Sequence, residues 1–306
     1  MERYYKFSQY LRKQFGCRVQ KVTVDAGFSC PNRDGKLSTE GCVYCDNRGF
    51  SFNTRLPARS IEEQITEGIA AGRERFKAEK FMVYFQAFTN TYATLDVLKK
   101  RYDAIRQFDN VVALAIGTRP DCVNEEILDL IDSYSQDYEV WLEYGLQSIH
   151  DTTLTQINRH HTFNDFFNTV KLTRRYNNIN ICVHIILGLP GETEDDMIKT
   201  AVALGDLKVE GVKIHPLHVV KGTKLEERYH EGLYVPLTLE KYVKIVKDVL
   251  ECLSPQTVIQ RITADCPSDM LIAPLWIREK ANVLGKIDEL LAHYDSFQGK
   301  QYHTSL

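Results

Sequence analysis

No apolar run in these 306 residues approaches the 18 or so that a membrane-spanning helix needs. The opening Met1-Glu2-Arg3-Tyr4-Tyr5-Lys6 has no apolar core of a secretory signal, so the expected location is the cytoplasm, away from any membrane. No stretch rich in Pro, Gly or Ser separates two halves, no segment is of low complexity, and no repeat is visible. Charge of one sign is also scarce: a net charge of −3 excludes a strongly basic nucleic-acid binder on global charge. With thiols expected to stay reduced, the even count of eight cysteines says nothing about disulfides. What remains is 43% apolar and 26% charged, the make-up of a globular chain rather than a disordered, collagen-like or coiled-coil one. At roughly 150 residues per domain the length suggests about two domains, but α/β barrels of similar size form one.

The charge is unevenly placed. Residues 1–60 hold 11 Lys and Arg against 5 Asp and Glu, leaving 27 against 36 in the rest. A basic first fifth on an acidic body suits an anionic partner held in one place, or is simply a solvated basic surface. Strand-like runs alternate with amphipathic stretches from Val19 onward. Strands are expected at 19–24, 80–86, 111–116, 140–146, 180–187 and 211–219, with a further one near 258–262. Helices are expected at 60–77, 94–107, 124–134, 164–176, 193–207, 238–253 and 276–293. Six strand-then-helix units imply right-handed crossovers, a parallel sheet and an incomplete barrel. Residues 1–18 read as a basic and aromatic arm, 19–255 as the core and 256–306 as an extension packing on it. The polar tail beyond Gly299 is expected to fray.

In such folds chemistry collects where strands end. Unusual residues do gather there: Cys30, Cys42 and Cys45 after the first strand, Gln86 to Tyr92 after the second, and Gly117 to Asp121 after the third. Glu143 to Ser148, Gly188 to Glu192 and His215 to His218 end the fourth, fifth and sixth. Three thiolates on one loop hold a soft metal. With a fourth ligand they suit zinc, with an open position an iron–sulfur cluster, and they also fit unrelated buried thiols. No Cys or His follows Cys45 at zinc-knuckle spacing, the next His being His150.

The cysteine trio resembles the cluster loop of radical S-adenosylmethionine (SAM) enzymes, keeping their C-x2-C but lengthening the first gap as Elongator-type members do. Gly145-Leu146-Gln147-Ser148 followed by Ile157-Asn158-Arg159 is similar to a stretch shared by oxygen-independent coproporphyrinogen oxidases and Elongator-type enzymes. Gly188-Leu189-Pro190-Gly191-Glu192-Thr193 looks like their fifth-strand motif, and Thr118-Arg119-Pro120-Asp121 like Elongator's Arg-Pro-Asp. With Thr89-Asn90-Thr91-Tyr92 and Lys221-Gly222-Thr223-Lys224-Leu225, the whole pattern resembles the YhcC/YtqA-like family over about residues 5–290.

The resemblance implies an α/β partial TIM barrel, (β/α)6, with a [4Fe–4S] cluster on Cys30, Cys42 and Cys45 and SAM as the second cofactor. It implies SAM contacts from Gln86, Thr89 or Asn90, from Thr118 and Arg119, from Gln147 and Ser148, from Leu187 and Gly188 at the adenine, and from Leu217. Arg159 suits the SAM carboxylate, because a guanidinium offers a bidentate fork. Glu143 points either to the ribose or into a buried pair with Arg119. Two departures stand out. His184 occupies a position that is Asp in porphyrin-forming relatives, and Gly117 and Thr118 stand where some relatives carry Glu. His184, His215 and His218 are candidates to reach substrate, or core histidines. An electron donor such as flavodoxin or ferredoxin is implied.

The motifs name how the reaction starts, not its substrate. Likeness to Elongator-type enzymes, with Arg3, Lys6, Arg12, Lys13, Arg18 and Lys21, points to tRNA at the side chain of a modified wobble uridine. Tyr4, Tyr5, Phe7, Tyr10 and Phe15 would then stack on bases, or equally form the apolar face of a helix docked on the barrel. A free small molecule is the alternative substrate, and a non-catalytic zinc module the alternative protein.

Overall fold

The computed structural model describes residues 2–51 and 53–302. Its frame is seven parallel strands in the order β1 (Val19–Val24), β2 (Lys80–Phe85), β3 (Val111–Thr118), β4 (Glu139–Gln147), β5 (Ile179–Leu187), β6 (Gly211–Pro216) and β8 (Val258–Arg261). Two short strands, β7 (Val219–Val220) and β9 (Leu271–Ala273), pair antiparallel beside it. Ahead of β1 lies α1 (Phe7–Phe15), and between β1 and β2 lie the single turn α2 (Asn47–Phe50) and α3 (Ile61–Phe76). The crossovers after β2 to β5 carry α4 (Leu95–Tyr102), α5 (Glu125–Asp132), α6 (Asp151–Gln156) with α7 (Phe163–Thr173), and α8 (Glu194–Asp206). Then come α9 (Lys224–His230), α10 (Leu239–Cys252) and, after β9, α11 (Lys280–His293). Three of the crossover helices start where a polar side chain satisfies their free amides. Ser60 and Glu63 do so reciprocally for α3, as do Thr162 and Asp165 for α7, and Thr193 and Asp196 for α8.

The partial barrel is therefore present with seven parallel strands instead of six, because β8 pairs with β6 in the same sheet. Other boundaries differ for local reasons. The helix expected over 94–107 tightens to a 3-10 turn after Tyr102, and the strand expected to run to Val219 leaves the sheet after Pro216. Residues 275–278 form a 3-10 turn before α11, and the short α6 was not anticipated. Past Gly299, the Gln301 amide donates to the Glu251 carbonyl at 2.9 Å, so the tail is held that far. The rest of the tail expected to fray, residues 303–306, lies outside the described residues.

The pleat sends alternate side chains to opposite faces. Val22, Val83, Leu114, Leu142, Val183 and Ile214 join the large core beneath the helices. Val19, Met82, Ala113, Trp141, Cys182 and Val258 face the other way and form a second, inner core with Leu11 of α1. That inner face is concave, since Lys21 of β1 reaches Glu143 of β4 across it at 3.4 Å and Gln260 of β8 across the open seam at 3.4 Å. The arm spans the seam lower down, where the Ile259 amide donates to the Tyr5 carbonyl at 2.8 Å. Phe7 and Tyr10 meet Trp141 edge-on with ring centroids 5.6 and 5.5 Å away. Such pairs contribute about 0.5–1.5 kcal/mol each beyond area burial. Thus α1 plugs the bottom of the barrel, and its aromatic residues are docking groups. Gly211 makes room for this plug, since a Cβ there would lie 2.8 Å from the Trp141 ring.

The outer layer is tight where α3 crosses β1. A methyl at Gly68 would stand 2.4 Å from Val22 Cγ1, so Gly68→Ala is expected to lose about 1–3 kcal/mol. Gly285→Ala in α11, where a methyl meets nothing within 4 Å, should instead gain up to about 1 kcal/mol from helix propensity. Denaturant midpoints of the two variants measure both effects, and equal midpoints would contradict the close crossing.

Candidate active site

Inside the barrel, inward side chains stack in three layers set by the period of two. The lowest is the apolar one closed by α1. Above it come Lys21, Tyr84, Glu143, His184, Lys213 and Gln260, and above these Gln86, Gly117, Gly145, Ile186 and His215. A cavity of about 900 Å³ runs through the upper two layers, reaches Phe7, Leu11 and Val19 beside the plug, and is roofed by the loop that carries the cysteines.

That loop is anchored by its backbone. The Cys30 carbonyl accepts from the Arg33 and Asp34 amides at 2.8 and 3.1 Å, and the Cys45 amide donates to the Cys42 carbonyl at 2.9 Å. Asn32 Nδ2 donates to the Asn158 carbonyl at 2.6 Å, Asn158 Nδ2 returns a bond to the Gly41 carbonyl at 2.7 Å, and the Val43 amide donates to the Ile157 carbonyl at 3.0 Å. Gly41 has φ +74°, and a Cβ there would stand 2.8 Å from Arg33 Nε, so this position requires glycine. The Arg33 guanidinium also donates to the Cys45 carbonyl.

Two stretches 117 residues apart thus meet at Arg159. Its Nη2 donates to the Gly145 carbonyl at 2.7 Å and its Nη1 to Cys42 Sγ at 3.6 Å, while its buried Nε has no partner among the described residues. Gly145 is what lets the guanidinium in, because a Cβ there would lie 2.7 Å from Nη2. Cys30, Cys42 and Cys45 all line the cavity and none is in a disulfide. Burial, with the neighbouring Cys42, pushes the Cys45 thiol up to about 12, against the pull of Arg33.

Among the other residues singled out in the sequence, Gln86, Thr89, Thr118, Arg119, Glu143, Gln147 and Leu217 line the same cavity, as do His184, His215 and His218. Asn90, Ser148, Leu187 and Gly188 do not. Asn90 Nδ2 donates to the Gly117 carbonyl at 2.8 Å, Ser148 donates to Glu192, and the Gly188 amide and carbonyl bond to Met197 Sδ and Tyr234. Leu187 packs in the outer core. Gln147 enters the cavity through a register shift in β4, with φ +76°. Phe88, Asn158 and His160, at φ +63°, +57° and +55°, store further backbone strain around the site.

Glu143 does not pair with Arg119. Arg119 is bonded to Asp121 at 2.8 and 2.9 Å, and its buried Nη1 has no partner. Glu143 instead takes Lys21 at 3.4 Å on Oε1, and both His184 Nε2 at 2.8 Å and Lys213 Nζ on Oε2. Lys21 is accordingly an interior residue and not a surface phosphate contact. Lys213, Gln260 and Asn32 were not anticipated. For Lys213 the available signal was parity: between Val212 and Ile214, both in the outer core, its side chain must face inward.

Burial alone would raise the Glu143 carboxyl, but Lys21, Lys213 and His184 hold it well below its ordinary value. Burial outweighs the upward pull of Glu143 and leaves Lys213 at about 7. Burial, with Lys213, brings His184 down to about 4.

Comparison with known proteins gives the following. Residues 35–204 match the Radical SAM superfamily and residues 209–293 the Radical SAM C-terminal domain. The chain is 39% identical to the uncharacterized protein YtqA of Bacillus subtilis, over 98% of this chain and 92% of that one. It is 30% identical to the tRNA uridine(34) acetyltransferase of Dehalococcoides mccartyi, over 54% of this chain and 36% of that one. The solved structure of Methanocaldococcus infernus Elp3 overlays with a TM-score of 0.67 at 18% identity, covering 92% of this chain and 64% of that one.

Glu143→Gln should lower the Lys213 titration midpoint below 7, as read by NMR of labelled lysine side chains. An unchanged midpoint would mean that Glu143 is not its counter-ion. In the parent protein the unfolded lysine, at about 10.4, keeps a proton that the folded one sheds near 7, so this group makes stability rise with pH across that window.

Proposed function

Given that the chain belongs to the radical SAM superfamily, we propose that Cys30, Cys42 and Cys45 hold a [4Fe–4S] cluster and that the cavity beside them takes SAM and the reacting end of a substrate. The observation that carries this reading is the meeting of three free thiols and the Arg159 guanidinium at one end of one cavity. The donor set fits the cluster. Thiolates of a single tetrahedral zinc ion lie about 4 Å apart at Zn–S distances near 2.3 Å. Here the three Sγ atoms do not all lie within 4.8 Å of one another. The buried and unpartnered Arg159 Nε and Arg119 Nη1 supply donors for a carboxylate in the same cavity.

When reduced and loaded with SAM, the cluster would supply one-electron cleavage of the sulfonium bond and a 5′-deoxyadenosyl radical. The chain's own part is to bind, orient and exclude water. Arg159 holds the SAM carboxylate while bracing Cys42. Gln147, aimed inward by its strained backbone, and Thr89, Gln86 and Thr118 offer polar contacts at the cavity wall. An external one-electron donor such as flavodoxin or ferredoxin would reach the cysteine loop from outside the barrel.

For the substrate we favour tRNA, at the side chain of a modified wobble uridine. The half-length likeness to tRNA uridine(34) acetyltransferases supports this reading. So does the cationic edge left by the arm. Arg3 is paired with Asp295 and Lys6 with Glu2, but Arg12, Lys13 and Arg18 remain exposed.

Cys42→Ala is expected to abolish both the cluster absorbance and 5′-deoxyadenosine release, and an intact cluster would show the trio misassigned. Arg159→Ala should keep the cluster and weaken SAM binding by about ten- to a hundredfold, the worth of a lost charge-assisted bond; unchanged affinity would remove Arg159 from the SAM site. In filter binding with total tRNA across salt, replacing Arg12 and Lys13 together should flatten the log–log slope by about two, at roughly 0.9 per phosphate contact. Binding by the parent protein no tighter than the nonspecific range would favour a free small-molecule substrate.

A further inference from the structure

The middle layer of the barrel sets two lysines against one carboxylate. Lys21 and Lys213 bring two ammonium groups to one carboxylate, Glu143, and both oxygens of that carboxylate are already engaged. Lys213 is 4% exposed and Glu143 fully buried. Both ammonium groups also lie over the face of Tyr84, at 4.6 Å for Lys21 and 4.2 Å for Lys213, which partly replaces lost hydration. Around them His184 and His215 stand with ring centroids 5.5 Å apart, and burial keeps both rings neutral at physiological pH. Arg261, further along, faces Asp265 at 3.6 Å and is compensated. With Lys213 protonated the layer carries one positive charge that Glu143 does not balance; α1 packs below it, and above it opens to the cavity shared with the cysteines.

A buried ammonium without a partner is costly, and each ammonium has three donor positions. Among the described residues Lys213 bonds Glu143 alone, and Lys21 bonds Glu143 and Gln260 Oε1, so both have donors to spare. Gln260 Nε2, also on the cavity wall, has no partner among the described residues. A cation is the wrong occupant. Glu143, Cys182 and His184 bring ligand atoms within 4.8 Å of one another, but both Glu143 oxygens already face ammonium groups that would repel a metal ion.

We propose that this layer is an oxyanion receptor: Lys213 and Lys21 hold a carboxylate or phosphate on the substrate's buried end, below the radical-generating end of the cavity. The proposal rests on the functional reading above for what the cavity contains. The depressed titration of Lys213 is what a site waiting for its counter-ion shows, because an arriving anion restores the proton.

The test is trace acetylation of the full chain, with its cluster reconstituted, by isotope-labelled acetic anhydride, with modification at Lys213 read by mass spectrometry against the exposed Lys244. The lysine amine attacks an anhydride carbonyl, forming the amide and releasing acetate and a proton, so only the neutral amine reacts. Unlabelled sodium acetate, inorganic phosphate and sodium chloride are compared at equal ionic strength. A saturable fall in Lys213 labelling, about tenfold at ten times the dissociation constant, is expected with one oxyanion and not with chloride. Protection by acetate alone identifies a carboxylate, and protection by phosphate alone a phosphate. Labelling that none of the three alters, or that chloride alters equally, overturns the proposal. In Lys21→Met the protecting anion should bind at least about fivefold more weakly, a loss of roughly 1 kcal/mol at RT near 0.59 kcal/mol; undiminished protection would remove Lys21 from the receptor. Failure of 5′-deoxyadenosine release would sink the functional reading while leaving the labelling result standing, so the two failures are separable.

Discussion

The site depends on the hydrogen bonds that pin the cysteine loop to the stretch around Asn158, from Asn32 to the Asn158 carbonyl and from Asn158 to the Gly41 carbonyl, beside which the Arg159 guanidinium sits between the Gly145 carbonyl and Cys42 Sγ. A loop of 36 residues between β1 and α3 would by itself place three thiols anywhere. Asn32 and Asn158 tie it to the turn after α6, and Arg159 ties that turn to Gly145 near the end of β4. Asn158 and His160 accept left-handed backbone on either side of the arginine so that it can point inward. That is strain of the kind found where geometry matters more than stability. The chain therefore spends local stability, of order 1–3 kcal/mol per strained residue, to hold sulfur and cation together.

The barrel supports this from below. An open parallel sheet has a lateral seam, and an unplugged one would let water reach the interior. Here α1 closes the bottom with Leu11, Phe7 and Tyr10 against Trp141, while Lys21 and Gln260 meet across the seam. The same closure makes the polar middle layer expensive and so informative. Replacing a buried ion pair by apolar residues is often neutral or stabilising, so a network around a fully buried glutamate does not exist for stability alone.

Much of this was legible beforehand. The cysteine spacing, the Gly145-to-Ser148 stretch with Arg159 behind it, and the alternation of strands with helices gave the architecture and the thiol site. What was misread shares a cause: sequence shows that a residue is charged, not which way it faces. Lys21 reads as a surface phosphate contact until Val22 and Val24 are seen in the outer core, which turns it inward. For the aromatic residues of the arm the sequence left base stacking and docking on the barrel equally open, and Phe7 and Tyr10, edge-on to Trp141, take the docking role. Glu143 found Lys213, not Arg119, because partners across a barrel are decided by its curvature. The seventh strand was visible as a strand, but its place beside β6 is a property of the sheet.

The account stands or falls on what the three thiols hold. Iron and acid-labile sulfide should be counted after anaerobic reconstitution, and the electron paramagnetic resonance spectrum of the reduced protein recorded with and without SAM. About four irons and four sulfides per chain, with a signal that SAM perturbs, is the result predicted for a three-cysteine cluster with one open iron. One zinc per chain with no sulfide, or a cluster spectrum indifferent to SAM, would contradict it.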